Sequence, residues 1–453
     1  MQRTTDMTTG NPVKLILKFA FPLILANLGQ QLYMIVDAAI VGRGVGVKAL
    51  ASVGAADWIY WLILWTVIGF SQGFSVFVSK SFGEKNYAEM NKNIAMSSVL
   101  CVFLGILLTF AGLVVAPMLL DVLDTPQDIV GGARVYLMTM LSGTLIVTAY
   151  NMASSILRAL GDGRSPLIAM GIAALLNVGL DLLFVFVFEW GIFGAALASV
   201  LAQLFSFVYC AFRIVKVDCI HLSKSAFELD FPLMKKLLVF GIPMAFQYIV
   251  IALGGIILQS TVNLQGSIFV AGFTAVNKLY GLLESTAISL GIAFSTFFAQ
   301  NFGAENYKRV RNGLNTGIVM LVGASAIVTV IVLLFTEPLL KIFLDTTTPE
   351  GPEALKIAVK YLLVITIPLS VLYLLHLYKN ALQSLGIASW SVVSGFGEFF
   401  MRVFMSKIVV LYLGTEVLFY VEPFAWLGGL VFVFVPYYIL RNKILPASGT
   451  DKQ

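Results

Sequence analysis

"SFGEKNYAEMNKNI" (residues 81–94) returns 220 residues further on as "NFGAENYKRVRNGL" (301–314). Phe82, Gly83, Asn86 and Tyr87 match Phe302, Gly303, Asn306 and Tyr307. Both stretches are polar breaks between long apolar runs, so hydrophobicity alone does not account for the likeness. Outward from them, Pro22 of "FAFPLILANLGQQL" (19–32) meets Pro243 of "FGIPMAFQYIVIAL" (240–253) at an offset of 221. Leu160-Gly161 meets Leu385-Gly386 at 225. Offsets that drift so little over so much chain mark an internal duplication.

Composition says what each copy is made of. Hydrophobic residues are 59% of the 453 and charged residues 12%, with a mean hydropathy of +0.93. Soluble domains carry roughly 25% charged residues, and a chain of this length could not cover a water-facing surface with half of that. The chain is therefore expected to be an all-α integral membrane protein. Its apolar runs exceed the ~20 residues that cross hydrocarbon as a helix, and none shows the ~10-residue alternation of a barrel strand. Twelve spans are predicted, at about 13–41, 49–79, 93–120, 132–157, 165–188, 191–212, 236–263, 267–299, 312–336, 354–378, 387–413 and 419–440. The first run is too long for a cleaved leader, and comparable segments follow it.

Each copy holds six spans. Because six is even, both copies enter the membrane from one side, giving a parallel repeat about an axis along the membrane normal, a pattern found in secondary transporters. The expected organisation is an N-lobe over 1–212, a polar linker over 213–235 and a C-lobe over 236–453. With the N-terminus inside, 20 Lys and Arg in the connections and at span ends, Lys379 among them, fall on the cytoplasmic side and 6 on the other. That bias assigns both termini to the cytoplasm. The formal charge of +5 then reports topology rather than nucleic-acid binding.

Several chemistries lack their residues. Cys101, Cys210 and Cys219 are scattered and odd in number, and His221 and His376 are the only histidines. Neither a disulfide framework nor a zinc-type cluster is expected, and no metal or cofactor. No G-x-x-x-x-G-K-[ST] motif supplies a nucleotide site.

What remains is charge inside the spans: Asp37, Asp181, Lys278, Glu284, Glu398, Arg402 and Lys407. A charge near a helix centre costs at least ~2.5 kcal/mol on insertion scales, so such residues usually face a bundle interior or an aqueous path. Gln30, Tyr33 and Asp37 share a helix face at spacings of seven and four, and Asn177 and Asp181 share another. Two carboxylates converging from spans 1 and 5 would repel when both are ionised, so one takes up a proton more readily. That is the physical basis of a coupling site. A Na⁺ ion is equally compatible with those oxygens, helped by Asn177 Oδ1, since hard cations take oxygen ligands. Simple interhelical hydrogen bonding is the plainer reading of all three residues.

The second copy echoes the stripe with Asn277, Tyr280 and Glu284 on span 8, but on a different span from the Asp37 face. Glu398 and Arg402 are four apart and can pair along span 11, as a structural ion pair or a secondary coupling site. Lys278 and Glu284, six apart, lie about 240° apart round the helix and are poorly placed to pair. Aromatic residues (13%) and 15 methionines supply polarizable surface suited to amphipathic or cationic compounds, although most serve packing.

"PLILANLGQQLYMIVDAAIVGRGVGVKALASVGA" together with "NVGLDLLFVF" and the two "FG…NY" loops resembles the multidrug and toxic compound extrusion (MATE) transporters, in a DinF-like or related bacterial branch, from about residue 10 to 440. The resemblance implies two six-helix lobes around a cleft and export of amphipathic, often cationic compounds in exchange for H⁺ or Na⁺. It implies coupling roles for Asp37, Asn177 and Asp181 and a span-1 bend at Pro22, and it points to the cleft as the place of Gln30, Tyr33, Gln247, Asn277, Tyr280 and Glu284. Some branches carry coupling acids on spans 7, 8 and 10. Here span 7 has Gln247 and no acid, and span 10 has none beyond its outer end, which moves the expectation to the N-lobe. The expected partners are small organic substrates and membrane lipid, with no nucleic acid, for a monomer in the cell membrane. Two other functions compete. A flippase for lipid-linked precursors would need several basic groups for phosphate, where only Lys278, Arg402 and Lys407 qualify. A membrane-embedded enzyme would need a nucleophile–base pair or a metal cluster.

Overall fold

A computed structural model describes residues 4–122, 125–344, 347 and 349–446, and among them every regular element is helical. The first copy holds α1 (Pro12–Gly44), α2 (Val47–Gly83), α3 (Tyr87–Val122), α4 (Val130–Ser142), α5 (Thr144–Ala159), α6 (Arg164–Asp181) and α7 (Gly191–Val215). The second holds α8 (Phe231–Asn263), α9 (Ser267–Gly303), α10 (Tyr307–Leu334), α11 (Thr336–Leu340), α12 (Gly351–Thr366), α13 (Leu369–Ser384), α14 (Ser389–Val403), α15 (Val410–Leu413) and α16 (Val421–Ile444). Among the described residues nine helices are long and apolar enough to span a membrane. Two more spans are bent pairs, α4 with α5 at 48° and α12 with α13 at 46°. The remaining span over 389–413 is α14 continued through a π-helical turn, Phe404–Val409, into α15. The fold is that of an all-α, multi-pass membrane protein with roughly twelve spans. Phe110, Leu175, Leu334 and Tyr412 are among many large apolar side chains left exposed, as a lipid-facing surface requires.

The duplication read in the sequence is a duplication of backbone. α1 and α8 each run 33 residues, and α2 and α9 each run 37. The quoted loops show why their residues recur. Lys85 and Glu305 both take φ 57°, the left-handed conformation that ends a helix. The N–H of Asn86 reaches back to Ser81 O, and that of Asn306 to Asn301 O. Phe82 and Tyr87 then pack with ring centroids 6.4 Å apart, Phe302 and Tyr307 with 6.0 Å. The first loop adds a side-chain cap, Asn86 Oδ1 accepting from the Glu89 N–H at 3.2 Å.

The described chain divides into two compact units, one of residues up to 9 and 18–245, the other of 10–17 and 246 onward. In the first, Phe74, Met90, Leu100, Leu157, Cys210 and Leu237 form one apolar core and Val53, Ala56, Tyr136, Leu141 and Ala196 another. In the second, the fully buried Tyr361, Tyr373, Phe294, Phe298 and Trp426 dominate. Pro22 lies buried inside α1 and Pro243 half-buried inside α8. Each lacks an N–H, so each leaves a carbonyl four residues back without its helical bond.

Candidate functional site

In the N-terminal unit α6 ends at Asp181, and Leu182–Val187 follow as a π-helical turn. Such turns are rare and frequently fall at functional sites. Asn177 and Asp181 are completely buried, and Asp37 on α1 is half-buried. The carboxyl groups of Asp37 and Asp181 lie within hydrogen-bonding reach of each other. Two carboxyl groups bond to one another only with a proton between them, since an ionised carboxylate is acceptor-only. Asp37 Oδ1 and Asp181 Oδ1 are both buried without a hydrogen-bond partner. Native structures leave few such atoms, and those left ask for an explanation.

Asn177 completes the group. Assigned from its neighbours, its Nδ2 donates to Asp181 Oδ2 at 2.7 Å, and its Oδ1 accepts from Ser199 Oγ at 3.2 Å and from the Ser199 N–H at 3.1 Å. In that orientation Ser199 on α7 supplies both donors to Asn177 Oδ1. Gln30 is half-buried on α1, two turns from Asp37. The side chain of Tyr33, the third member of the predicted stripe, lies outside the described residues.

The C-terminal unit carries a different charge pattern at the matching place. Glu398 and Arg402 stand 221 residues after Asn177 and Asp181, and the π-helical turn Phe404–Val409 follows. Their pairing is present but secondary, Arg402 Nη1 lying 3.7 Å from Glu398 Oε2. The main partner of Arg402 is Glu422 on α16, held through two parallel bonds, Nε to Oε1 at 3.0 Å and Nη2 to Oε2 at 2.8 Å. The main partner of Glu398 is Lys379, whose Nζ donates to Oε1 at 2.9 Å. Lys379, read from the sequence as a cytoplasmic loop residue, is only 6% exposed on α13. The helix runs on to Ser384, past the predicted end at 378, because a lysine inside a span looks like the end of one.

Glu284 belongs beside this network. Tyr280 one turn back, Arg402, Glu422 and Glu398 are all near enough to act on it electrostatically. Tyr280 stacks on Trp426, centroids 5.7 Å apart. Asn277, the third member of that stripe, accepts instead from the Tyr361 hydroxyl at 3.3 Å. Gln247 is buried and accepts from Gln383 Nε2 at 3.3 Å. Among the described residues Lys278 makes no ion pair with Glu284, as the helical angle predicts.

The sequence reading missed Ser199, Lys379 and Glu422. Serine is commonplace in membrane helices, so Ser199 carried no signal. Glu422, three residues into the predicted last span, was readable as a charge within an apolar run.

A family model described as MatE matches residues 22–183 and 243–408, one match in each copy. The "Probable multidrug resistance protein YpnP" of Bacillus subtilis is 32% identical over 311 residues, 67% of this chain and 68% of that protein. The "Probable multidrug resistance protein NorM" of Thermotoga maritima is 27% identical over 353 residues, 77% of this chain and 75% of that protein. A solved MOP superfamily transporter from Pyrococcus furiosus superposes with a TM-score of 0.88 at 22% identity, covering 97% of this chain and 98% of that one.

Proposed function

We propose that this chain, which belongs to the MatE family of multidrug efflux transporters, is a secondary antiporter that exports amphipathic, often cationic organic compounds against an inward flow of H⁺ or Na⁺. The observation that carries the reading is the acid pair of Asp37 and Asp181, in mutual contact with one buried oxygen of each left unpartnered. A proton or small cation binds there when the site opens to one side of the membrane and leaves when it opens to the other. Asn177 steadies Asp181, and Pro22 weakens the helical bonding of α1, the element that carries Asp37. Loading and release of one charge then bias α1 between two shapes, which is what alternating access needs.

Gln30 and Tyr33 on the Asp37 face, with Gln247, Asn277, Tyr280 and Glu284 in the second copy, are the proposed contacts for substrate. Both termini lie in the cytoplasm of a cell-membrane protein that acts as a monomer, without cofactor and without catalysing a covalent step. The flippase alternative loses ground because two basic groups of the C-terminal unit, Arg402 and Lys379, are already neutralised by Glu422 and Glu398.

The test is export of a fluorescent organic cation from proteoliposomes under an imposed pH gradient or, separately, a Na⁺ gradient. Asp37→Asn is expected to abolish export while the purified protein keeps its helical content and elutes as a single species. Export by that variant at the parental rate would refute the assignment.

A further inference from the structure

The N-terminal unit holds a cavity of about 410 Å³ that shares no lining residue with the acid pair. Three segments distant in the chain form it: Asp6 ahead of α1, Phe82, Lys85 and Tyr87 at the α2–α3 turn, and Asp218 and His221 in the polar linker after α7. Each segment is pinned. The Thr5 N–H donates to Leu160 O at 3.0 Å, Met7 is fully buried, and Asp6 Oδ1 accepts from the Thr8 N–H at 2.8 Å. The Lys85 N–H donates to Phe82 O at 3.1 Å. Asn91 on α3 clasps the linker, its Nδ2 donating to Cys219 O at 3.4 Å and its Oδ1 accepting from the His221 N–H at 3.0 Å. Walls fixed in this way are formed before any ligand arrives, and the volume falls at the small end of the roughly 300–1,000 Å³ typical of ligand pockets.

The cavity begins where apolar surface gives way to polar. On the last turns of α7, Phe212 and Val215 are exposed, and the Lys216 ammonium lies 4.2 Å from the Phe212 ring centroid. Such a cation marks the edge of hydrocarbon, and the next residue, Val217, is a wall of the cavity. Among the described residues Asp6, Lys85 and His221 make no ion pair, so charge of both signs lines one small space at lipid-headgroup level.

We propose that this cavity binds the headgroup of a phospholipid carrying a primary ammonium, of which phosphatidylethanolamine is the simplest. Lys85 and His221 take the phosphate, Asp6 and Asp218 the ammonium, and the rings of Phe82 and Tyr87 the methylenes between. Phosphatidylglycerol, singly anionic, has nothing to offer the two carboxylates. A choline headgroup has the right charges but no N–H to donate to them, which forfeits the charge-assisted hydrogen bond. The site stands apart from the antiport reading and does not depend on it. The second copy shows what is particular to the first. There Arg311, 220 residues after Asn91, clasps the chain after the last helix through the Leu445 carbonyl. Yet Glu305 stands where Lys85 does, at the same φ of 57°. The clasp is duplicated and the cation is not.

The test titrates the full-length protein in dodecyl maltoside micelles with dioleoyl phosphatidylethanolamine, phosphatidylcholine or phosphatidylglycerol. Native mass spectrometry gives the dissociation constant of the first bound lipid. Alkylation of Cys219 by N-ethylmaleimide reports occupancy in parallel, since Cys219 is a half-buried wall residue whereas Cys101 and Cys210 are buried. Phosphatidylethanolamine is expected to bind roughly tenfold more tightly than either other lipid and to slow the alkylation. Lys85→Glu is expected to remove the preference, in a backbone conformation that Glu305 already adopts. Asp6→Asn, which keeps an oxygen for the Thr8 N–H, and His221→Gln are each expected to reduce it about threefold, the scale of an exposed charged contact. The His221 side chain is exposed, so its replacement gives an independent reading if Lys85→Glu disturbs the loop. Equal affinity for the three lipids overturns the proposal, as does a preference unchanged in both Lys85→Glu and His221→Gln. Protection of Cys219 by soluble glycerophosphoethanolamine with none from the lipid overturns it too, and makes the cavity a site for a free metabolite.

Discussion

The two copies place opposite chemistry at one point of a shared backbone. In the first, α6 delivers Asn177 and Asp181 to the start of a π-helical turn; in the second, α14 delivers Glu398 and Arg402 to the start of another. The first gathers two acids with no basic partner among the described residues. The second carries its cation covalently, as the guanidinium of Arg402, doubly bonded to Glu422 and backed by Lys379 on Glu398. A buried site with a fixed counter-charge is satisfied in one state and has no reason to load or release. A buried acid pair without one is satisfied only when something mobile arrives. Duplication supplied two equivalent positions, and on the proposed reading one became a lock and the other a switch.

The contrast breaks most visibly if the acids of the first copy prove structural. Asp181→Asn is expected to lower cation export by roughly 100-fold or more, the scale on which a positioned acid–base group is usually felt. Its unfolding free energy in mixed micelles should stay within about 1 kcal/mol of parental, because the new side-chain carbonyl still accepts from the Asn177 amide. Arg402→Met should do the reverse in energetic terms, costing about 3–5 kcal/mol because it strands the largely buried Glu422 carboxylate. A stable Arg402→Met protein would mean that Glu422 is not held by the guanidinium.

Equivalent glycines give a smaller and sharper comparison. Gly161 (φ 77°) and Gly386 (φ 86°) end matching helices in the left-handed conformation. A Cβ at Gly386 meets open space, whereas at Gly161 it comes within 2.4 Å of the Thr5 carbonyl oxygen. Gly386→Ala should cost about 1–2 kcal/mol of backbone strain, and Gly161→Ala measurably more, in the same unfolding assay. Equal losses would show that the N-terminal segment yields to a methyl group.

The least effect is expected at Asp230, before α8. The Lys92 ammonium and the Leu233 N–H hold its carboxyl below the ordinary 3.8. A depressed carboxyl contributes stability that is complete above the unfolded value and is lost as pH falls through the folded one. Asp230→Asn should therefore flatten the acid limb of a melting-temperature profile below about pH 4 and leave neutral pH almost unchanged.

Much of this was legible in one dimension. The repeat, the spans and the positions of Asp37, Asp181, Glu398 and Arg402 follow from hydropathy, spacing and the rarity of charge in apolar runs. The partners did not follow. Spacing paired Glu398 with Arg402, but Lys379 and Glu422, on two other helices, hold them more closely. Spacing put Asn177 beside Asp181 without saying which end of its amide faces the acid.

Sequence alone determined that this protein is a duplicated helical membrane bundle with acids inside its first half, because lipid penalises every uncompensated charge and every unbonded peptide group wherever it falls along the chain. Tertiary structure decided which charges are compensated. That depends on atoms a few ångströms apart on separate helices, Lys379 on Glu398 and Arg402 on Glu422, and on a serine whose two hydrogen bonds turn an amide around.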